Sequence, residues 1–358
     1  MPTKALIYGA GAIGRGYLGP LLSGMGIKVH FVDIQPDLVA GLRARSSYTA
    51  AITARDGYER VQVPLGGAYL LGEEPDAGDF DLIFCCVGPN NCYDLADRFK
   101  TAKAVFSCEN DASTASRLRE LSGNERIYFG IPDVITSNTA PADLLSEDPL
   151  MTVSEQGELV LEKGEYDLPE TIVQVDPKGL AMHWMCKFFI HNAPHAITAY
   201  LGWLRGCVYI HEAMAHPDID ALVTGAIGEI TEGVVRAGYA EAGFAQNYKE
   251  KELNRFRNGL LFDTVRRVAR HPIRKLGKEN RLILGLRLAL FGGNVPECTA
   301  TGVKAALAYT EPQDEESAYL QTLRHSIGDS AVLWEICGIA ALDPLGLYII
   351  NRDISRFR

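Results

Sequence analysis

The run Lys4-Ala5-Leu6-Ile7-Tyr8 followed by Gly9-Ala10-Gly11-Ala12-Ile13-Gly14 constrains this chain more than any other segment. Five residues of strand character enter a Gly-x-Gly-x-x-Gly turn, and an amphipathic helical stretch follows through Met25. The glycines have separate tasks in such a turn. Gly9 permits the tight bend, Gly11 lets backbone approach a pyrophosphate, and Gly14 lets the helix pack closely on the strand. The helix start, with Ala12 and Ile13, presents free amides and a positive dipole end to the phosphates. A second strand, Val29 to Val32, ends at Asp33, where a carboxylate accepts hydrogen bonds from ribose hydroxyls. It also repels the extra phosphate of NADP. Ile34, Gln35 and Pro36 follow without an Arg, so NAD is the expected cofactor and FAD the main competitor. Val87, closing a later strand-like run, joins Gly9, Gly11, Ala12, Ile13, Gly14 and Asp33 in the expected cofactor set. A glycine turn that merely links strand to helix explains the motif alone, but not strand, glycines, helix, strand and acid in order.

The same alternation continues. Ala5 to Tyr8, Val29 to Val32, Leu82 to Val87, Ala104 to Phe106 and Ile127 to Phe129 read as strands, which implies a parallel sheet covered by helices. Between Glu155 and Val175, Leu159 to Leu161 and Thr171 to Val175 read as an accessory strand pair. Beyond it the pattern is helical, with apolar spacing over Ile219 to Ala237 and Asn254 to Ala269. The expected fold is therefore α/β. A Rossmann-type NAD-binding domain with accessory strands covers 1–180, and a mostly α-helical substrate and catalytic domain covers 181–358. A chain of 358 residues that is 47% hydrophobic supplies two cores. A formal net charge of -10 argues against nucleic acid or an anionic membrane as main partner. None of the eight cysteines shows Cys-x2-Cys spacing, which argues against a zinc knot and for a reducing compartment. The start Met1-Pro2-Thr3-Lys4 has no signal-peptide pattern, and no apolar run is long enough to span a bilayer, so the expected location is cytoplasmic.

A second cluster is Lys187-Phe188-Phe189-Ile190-His191-Asn192-Ala193-Pro194-His195. At about 100° per residue, Lys187, Asn192 and His195 fall within about 140° of one helix face. The apolar neighbours predict a largely buried segment, and burial lowers a lysine pKa toward neutrality. Such a lysine serves as general base toward an alcohol, and an amide donor stabilises the developing alkoxide. The competing explanation is a buried helix whose polar groups make structural bonds, and Pro194 weakens the angular argument. His191 and His195 have metal-compatible spacing but no third ligand, and His211-Glu212 with His216 misses the zinc-protease spacing by one residue, so no metal is expected.

Lys187-x4-Asn192-x2-His195 resembles the signature of the polyol-specific long-chain dehydrogenases and reductases. The run from His191 through Gly202, the run from Gly9 through Gly16, and Ser107-Cys108-Glu109-Asn110 are similar to the branch acting on mannitol 1-phosphate. So is the stretch from Arg255-Phe256 through Arg267, Arg270, Arg274 and Lys275 to Arg281-Leu282-Ile283. The resemblance implies a two-domain, metal-independent enzyme interconverting mannitol 1-phosphate and fructose 6-phosphate with NAD, as a monomer or homodimer. It implies Lys187 as general acid/base, Asn110 and Asn192 as holders of the reacting oxygen, and His195 as a substrate-orienting group. Asp133, Arg267 and Lys275 match substrate-contacting positions. With Arg266, Arg270 and Arg274 the last two form a basic cluster suited to a phosphate. The chain departs from the pattern at His191, where an apolar residue is usual, at Val134, in the segment 182–186 and around Gly292-Gly293. Competing functions are an unphosphorylated polyol or sugar-acid dehydrogenase, a branched keto-acid dehydrogenase, and an NAD(H)-binding sensor without turnover.

Overall fold

The computed structural model describes residues 3–293, 295–340 and 342–358, and divides into two compact units. One comprises Met1–His183 with Leu260–Phe262, the other Trp184–Gly259 with Asp263–Arg358.

The first unit is built on an eleven-stranded sheet in the order β11-β10-β7-β6-β5-β1-β2-β4-β3-β9-β8. Its centre is parallel: β1 (Lys4–Tyr8) lies between β2 (Lys28–Asp33) and β5 (Leu82–Cys85), with β6 (Val105–Ser107) and β7 (Ile127–Asp133) beyond β5, and β4 (Gly57–Leu70) beyond β2. β1, β2, β5, β6 and β7 are largely apolar and buried, as a helix-covered parallel sheet requires, whereas β4 is mostly half-exposed. Chain direction away from β1 reverses between β1 and β5, which opens a crevice outside their carboxyl ends.

The sheet is larger and more mixed than the alternation predicts. β3 (Ser47–Ala54) pairs antiparallel with β4, from Ser47 opposite Pro64 to Ala54 opposite Gly57. The bend is Arg55-Asp56, and Gly57, which follows it with φ 140, is the residue whose backbone a side chain would strain. β8 (Thr136–Ser137) and β9 (Thr152–Ser154) extend that edge. On the other edge β10 (Glu158–Glu162) runs antiparallel to β7 and carries β11 (Val173–Val175).

The second unit is helical. Its axis is Asn192–Leu204, whose first eleven residues are all buried, as in a helix surrounded by others. Pro217–Arg236, Ala242–Phe256, Arg281–Phe291, Glu297–Ala308 and Glu315–Cys337 pack around it. A Cβ on Gly233 would lie 2.1 Å from the Leu288 carbonyl oxygen, so that helix pair depends on a bare backbone. The expected helical run from Asn254 to Ala269 is interrupted: one helix ends at Phe256, and a short one, Val265–Ala269, follows a loop in which Phe262 has φ 48.

Candidate active site

In the first unit the glycine turn is tied into the sheet by Gly9 N–H donating to the Val32 oxygen at 2.8 Å. Gly9 has φ 96, a conformation L side chains rarely adopt, and a Cβ there would sit 2.6 Å from the Cys86 oxygen. A Cβ on Gly14 would meet the Gly9 oxygen at 2.0 Å. Gly11 differs, with nothing within 4 Å of its Cβ position, so the backbone there faces open space. A cleft of about 440 Å³ begins at this point, lined by Gly9, Gly11, Asp33, Ile34, Val87 and Asn91 among others. Ala12 and Ile13 open the helical segment. Its first turn, Gly14–Leu18, is of π type rather than α.

Asp33 closes the acid end of the cleft. Its carboxylate accepts from Ala10 N–H at 2.8 Å and from Gln35 N–H at 3.0 Å, so turn and acid are held in fixed relation. Arg15 turns away from ligand duty: its buried guanidinium donates to the backbone oxygens of Ala10 and Leu150. Val87 N–H and Gly88 N–H both donate to Oε1 of Glu109, at 2.9 and 3.1 Å. Glu109 is buried, and burial raises its pKa to about 7 against the opposing pull of those amide bonds. The sequence contained Glu109 within a recognised motif, but nothing local showed that it braces the Val87 turn. Asn110 follows it at the exposed end of β6, and buried Asp133 ends the neighbouring β7.

In the second unit Lys187 lies in a π-helical turn, Cys186–His191, not in an α-helix. The α-helical angular spacing expected for Lys187 to His195 is therefore corrected. Asn192 N–H donates to the Lys187 oxygen, so residues five apart stack one turn above the other. Pro194 lacks an N–H, and its ring would clash with the carbonyl four residues earlier in a regular α-helix. The wider turn relieves that conflict, and the helix continues through the proline. Asn192 and His195 are buried, whereas Lys187 and Phe188 remain partly exposed, less covered than the apolar sequence predicts.

His195 stacks on Phe256 with ring centroids 5.0 Å apart and planes 8° from parallel. Its Nε2 approaches Asp263 Oδ2 at 3.0 Å, out of line for a hydrogen bond. Burial lowers the His195 pKa, with Asp263 opposing. Asp263 is itself buried, which raises its pKa, but Arg267 and His195 together hold it below the usual range. Arg267 is the partner of that carboxylate, with Nη2 at 2.6 Å from Oδ1. The sequence reading missed Asp263 because its partner His195 is far away along the chain.

His191, unusual for the family pattern, is matched by a buried carboxylate. Its Nδ1 contacts Glu252 Oε2, and Arg255 Nη1 donates to Glu252 Oε1 at 2.7 Å. A fully buried carboxylate needs such partners. The basic residues do not form one patch. Arg266 is 3.3 Å from Glu311 and Arg267 is held by Asp263, while Arg270 and Arg274 are exposed and Lys275 is buried.

A switch-point crevice, a glycine turn with open space at Gly11 and a carboxylate at the end of the second strand define a dinucleotide-binding oxidoreductase unit. Residues 3–77 match the model of the mannitol dehydrogenase Rossmann domain, and residues 180–332 that of the mannitol dehydrogenase C-terminal domain. The chain is 32% identical to the mannitol-1-phosphate 5-dehydrogenase of Halalkalibacterium halodurans, over 98% of this chain and 100% of that one. It is 31% identical to the enzyme of that name from Bacillus subtilis, over 97% and 99%. Among solved structures, Pseudomonas fluorescens mannitol 2-dehydrogenase, in ternary complex with NAD and D-mannitol, superposes with a TM-score of 0.77. That match has 17% identity and covers 99% of this chain and 91% of the other. D-sorbitol dehydrogenase follows at 0.70, with 16% identity, 99% of this chain and 90% of the other. The chain belongs to the mannitol dehydrogenase family, and is an NAD-dependent dehydrogenase acting on a CH–OH group.

Proposed function

We propose that this protein interconverts D-mannitol 1-phosphate and D-fructose 6-phosphate with NAD(H). The observation that carries the reading is the π-helical turn that stacks Asn192 on Lys187, with His195 three residues on in the same buried helix. Near-full-length similarity to enzymes of that name supports the substrate.

Asp33 would hold the ribose hydroxyls of the cofactor, and the backbone amides at Gly11, Ala12 and Ile13 would hold its pyrophosphate. Bound NAD supplies the hydride acceptor. In oxidation, neutral Lys187 takes the proton of the substrate hydroxyl through Nζ. The side-chain amides of Asn192 and Asn110 donate to the oxygen as it gains charge. His195, held flat on Phe256, orients the hydroxyl. In reduction, protonated Lys187 returns the proton. Asp133, Arg267, Arg270, Arg274 and Lys275 are the substrate-side residues of this reading, and no metal takes part. The protein works in the cytoplasm, as a monomer or homodimer. No helix among the described residues is long and apolar enough to cross a membrane, which is compatible with that location.

The test is NADH consumption with fructose 6-phosphate, with fructose as control. Rapid loss with the phosphate alone is expected. Equal rates assign the protein to unphosphorylated polyols, and no rate despite NADH binding defeats the reading.

A further inference from the structure

We propose that Arg281, together with Lys275, seats the phosphate monoester of the substrate. The inference rests on the polyol phosphate reading and selects, from many cations, the two that hold the anionic end.

Lys275 and Arg281 are each only 6% exposed. Neither lies within ion-pair distance of a carboxylate among the described residues. Lys275 Nζ donates to the Arg270 carbonyl oxygen. Asp314 and Glu316, the acids nearest in charge terms, are already committed. Asp314 accepts from His271 N–H at 2.9 Å and Ser317 N–H at 3.2 Å. Glu316 accepts from Arg274 N–H at 2.9 Å and lies 3.2 Å from His271 Nδ1.

Arg281 has one fixed bond, from Nε to Asn280 Oδ1 at 3.0 Å. That same oxygen caps the helix Arg281–Phe291 through Arg281 N–H. The guanidinium lies 5.3 Å from the ring centroid of Phe188, the residue next to Lys187. Its two terminal nitrogens have no hydrogen-bond partner among the described residues. A nearly buried charge without a counter-charge is costly, and a structural role alone would bring a carboxylate to this group. Burial, then the charges of Arg281 and Arg274, push the Lys275 ammonium pKa down, and burial with Arg274 brings that of Arg281 to about 10. A phosphate monoester carries about two negative charges and several acceptor oxygens. It matches two cations, where a carboxylate leaves one uncompensated. The free edge of Arg281 suits the paired oxygens of a phosphate.

The test uses the full chain with NADH. The quantity read is the ratio of kcat/KM for fructose 6-phosphate to that for fructose, in the wild type, Arg281→Gln and Arg281→Lys. The Gln variant is expected to lower this ratio by about a hundredfold, the scale for removing one partner of a buried charge pair, and Lys to recover part of it. Inorganic phosphate should compete with fructose 6-phosphate in the wild type and not in the Gln variant. A ratio unchanged in Arg281→Gln, with phosphate still competing, overturns the assignment while leaving the polyol phosphate reading intact. A wild type with no preference for the phosphorylated sugar fails that reading instead. If Arg281→Gln does not fold, the wild-type competition and Lys275→Met decide the matter. Absence of competition, or an unchanged ratio in Lys275→Met, counts against the seat.

Discussion

Replacing Glu109 by Gln should make the first unit more stable in mild alkali, contrary to the usual effect of altering a buried hydrogen-bonded acid. Glu109 accepts the Val87 and Gly88 amides through Oε1 alone, and a glutamine oxygen can accept both. Burial raises its pKa from 4.5 to about 7. For an acid whose folded-state pKa is raised, stability is highest below the unfolded value and is lost as pH climbs from 4.5 through 7. At about 1.36 kcal/mol per pKa unit, the ionised form costs the fold on the order of 3 kcal/mol at pH 8. Glu109→Gln removes that cost. Urea midpoints of wild type and variant at pH 5 and pH 8 measure it, with all other titrating groups shared and cancelling in the difference. The gap in stability between variant and wild type should widen by about 2.5 kcal/mol from pH 5 to pH 8, since a small part of the cost is already present at pH 5. Parallel pH profiles for the two proteins would refute the reasoning, and would mean that Glu109 ionises as freely as it does in water.

The glycine turn should separate ligand approach from fold. Gly11→Ala has room and should leave the urea midpoint nearly unchanged while weakening NADH binding, whereas Gly14→Ala, with a backbone oxygen 2.0 Å from the new Cβ, should lower both. Fluorescence titration with NADH beside the melts checks this, and equal losses of stability would refute it. Lys187→Ala should abolish turnover with NADH affinity retained, and surviving turnover would show that another group is the base. Asp263→Asn should lower kcat/KM on the order of tenfold to a hundredfold by freeing His195 and Arg267, a loss typical of a misplaced substrate-orienting group. Steady-state kinetics at neutral pH measure it, and wild-type values would deny Asp263 a positioning role.

The parts of this molecule visible in the sequence are those governed by local backbone demands. Gly9, Gly14 and Asp33 announce the turn because the chain bends and packs there in ways only those residues allow. The hairpin of β3 and β4 is equally local, with Gly57 directly after its bend, but short-run alternation obscured the two long strands. The π-type turn at Lys187 has a weaker trace, in Pro194 alone, because an added residue in a helical turn leaves composition unchanged. Asp263 meets His195, and Arg281 meets Phe188, through packing of segments far apart in the chain. Linear spacing therefore gave them no role, although Arg281 stood inside a familiar motif. The basic cluster shows the reverse: residues adjacent in sequence are separated in charge by Glu311 and Asp263, so proximity along the chain overstated their common purpose.

Leu260–Phe262 belongs to the first unit although 76 residues separate it from His183, and it lies between the two stretches of the second unit. The Leu260 oxygen accepts from the Tyr58 hydroxyl at 2.6 Å, and the Phe262 oxygen from Ser137 Oγ at 3.2 Å. A ribosome delivers the glycine turn, the sheet and the strands of β8 and β9 long before it delivers this tripeptide. Tyr58 and Ser137 therefore meet these acceptors only after the 76 residues Trp184–Gly259 have emerged. A chain cut after His183 lacks both acceptors, and leaves the hydroxyls of Tyr58 and Ser137 to water.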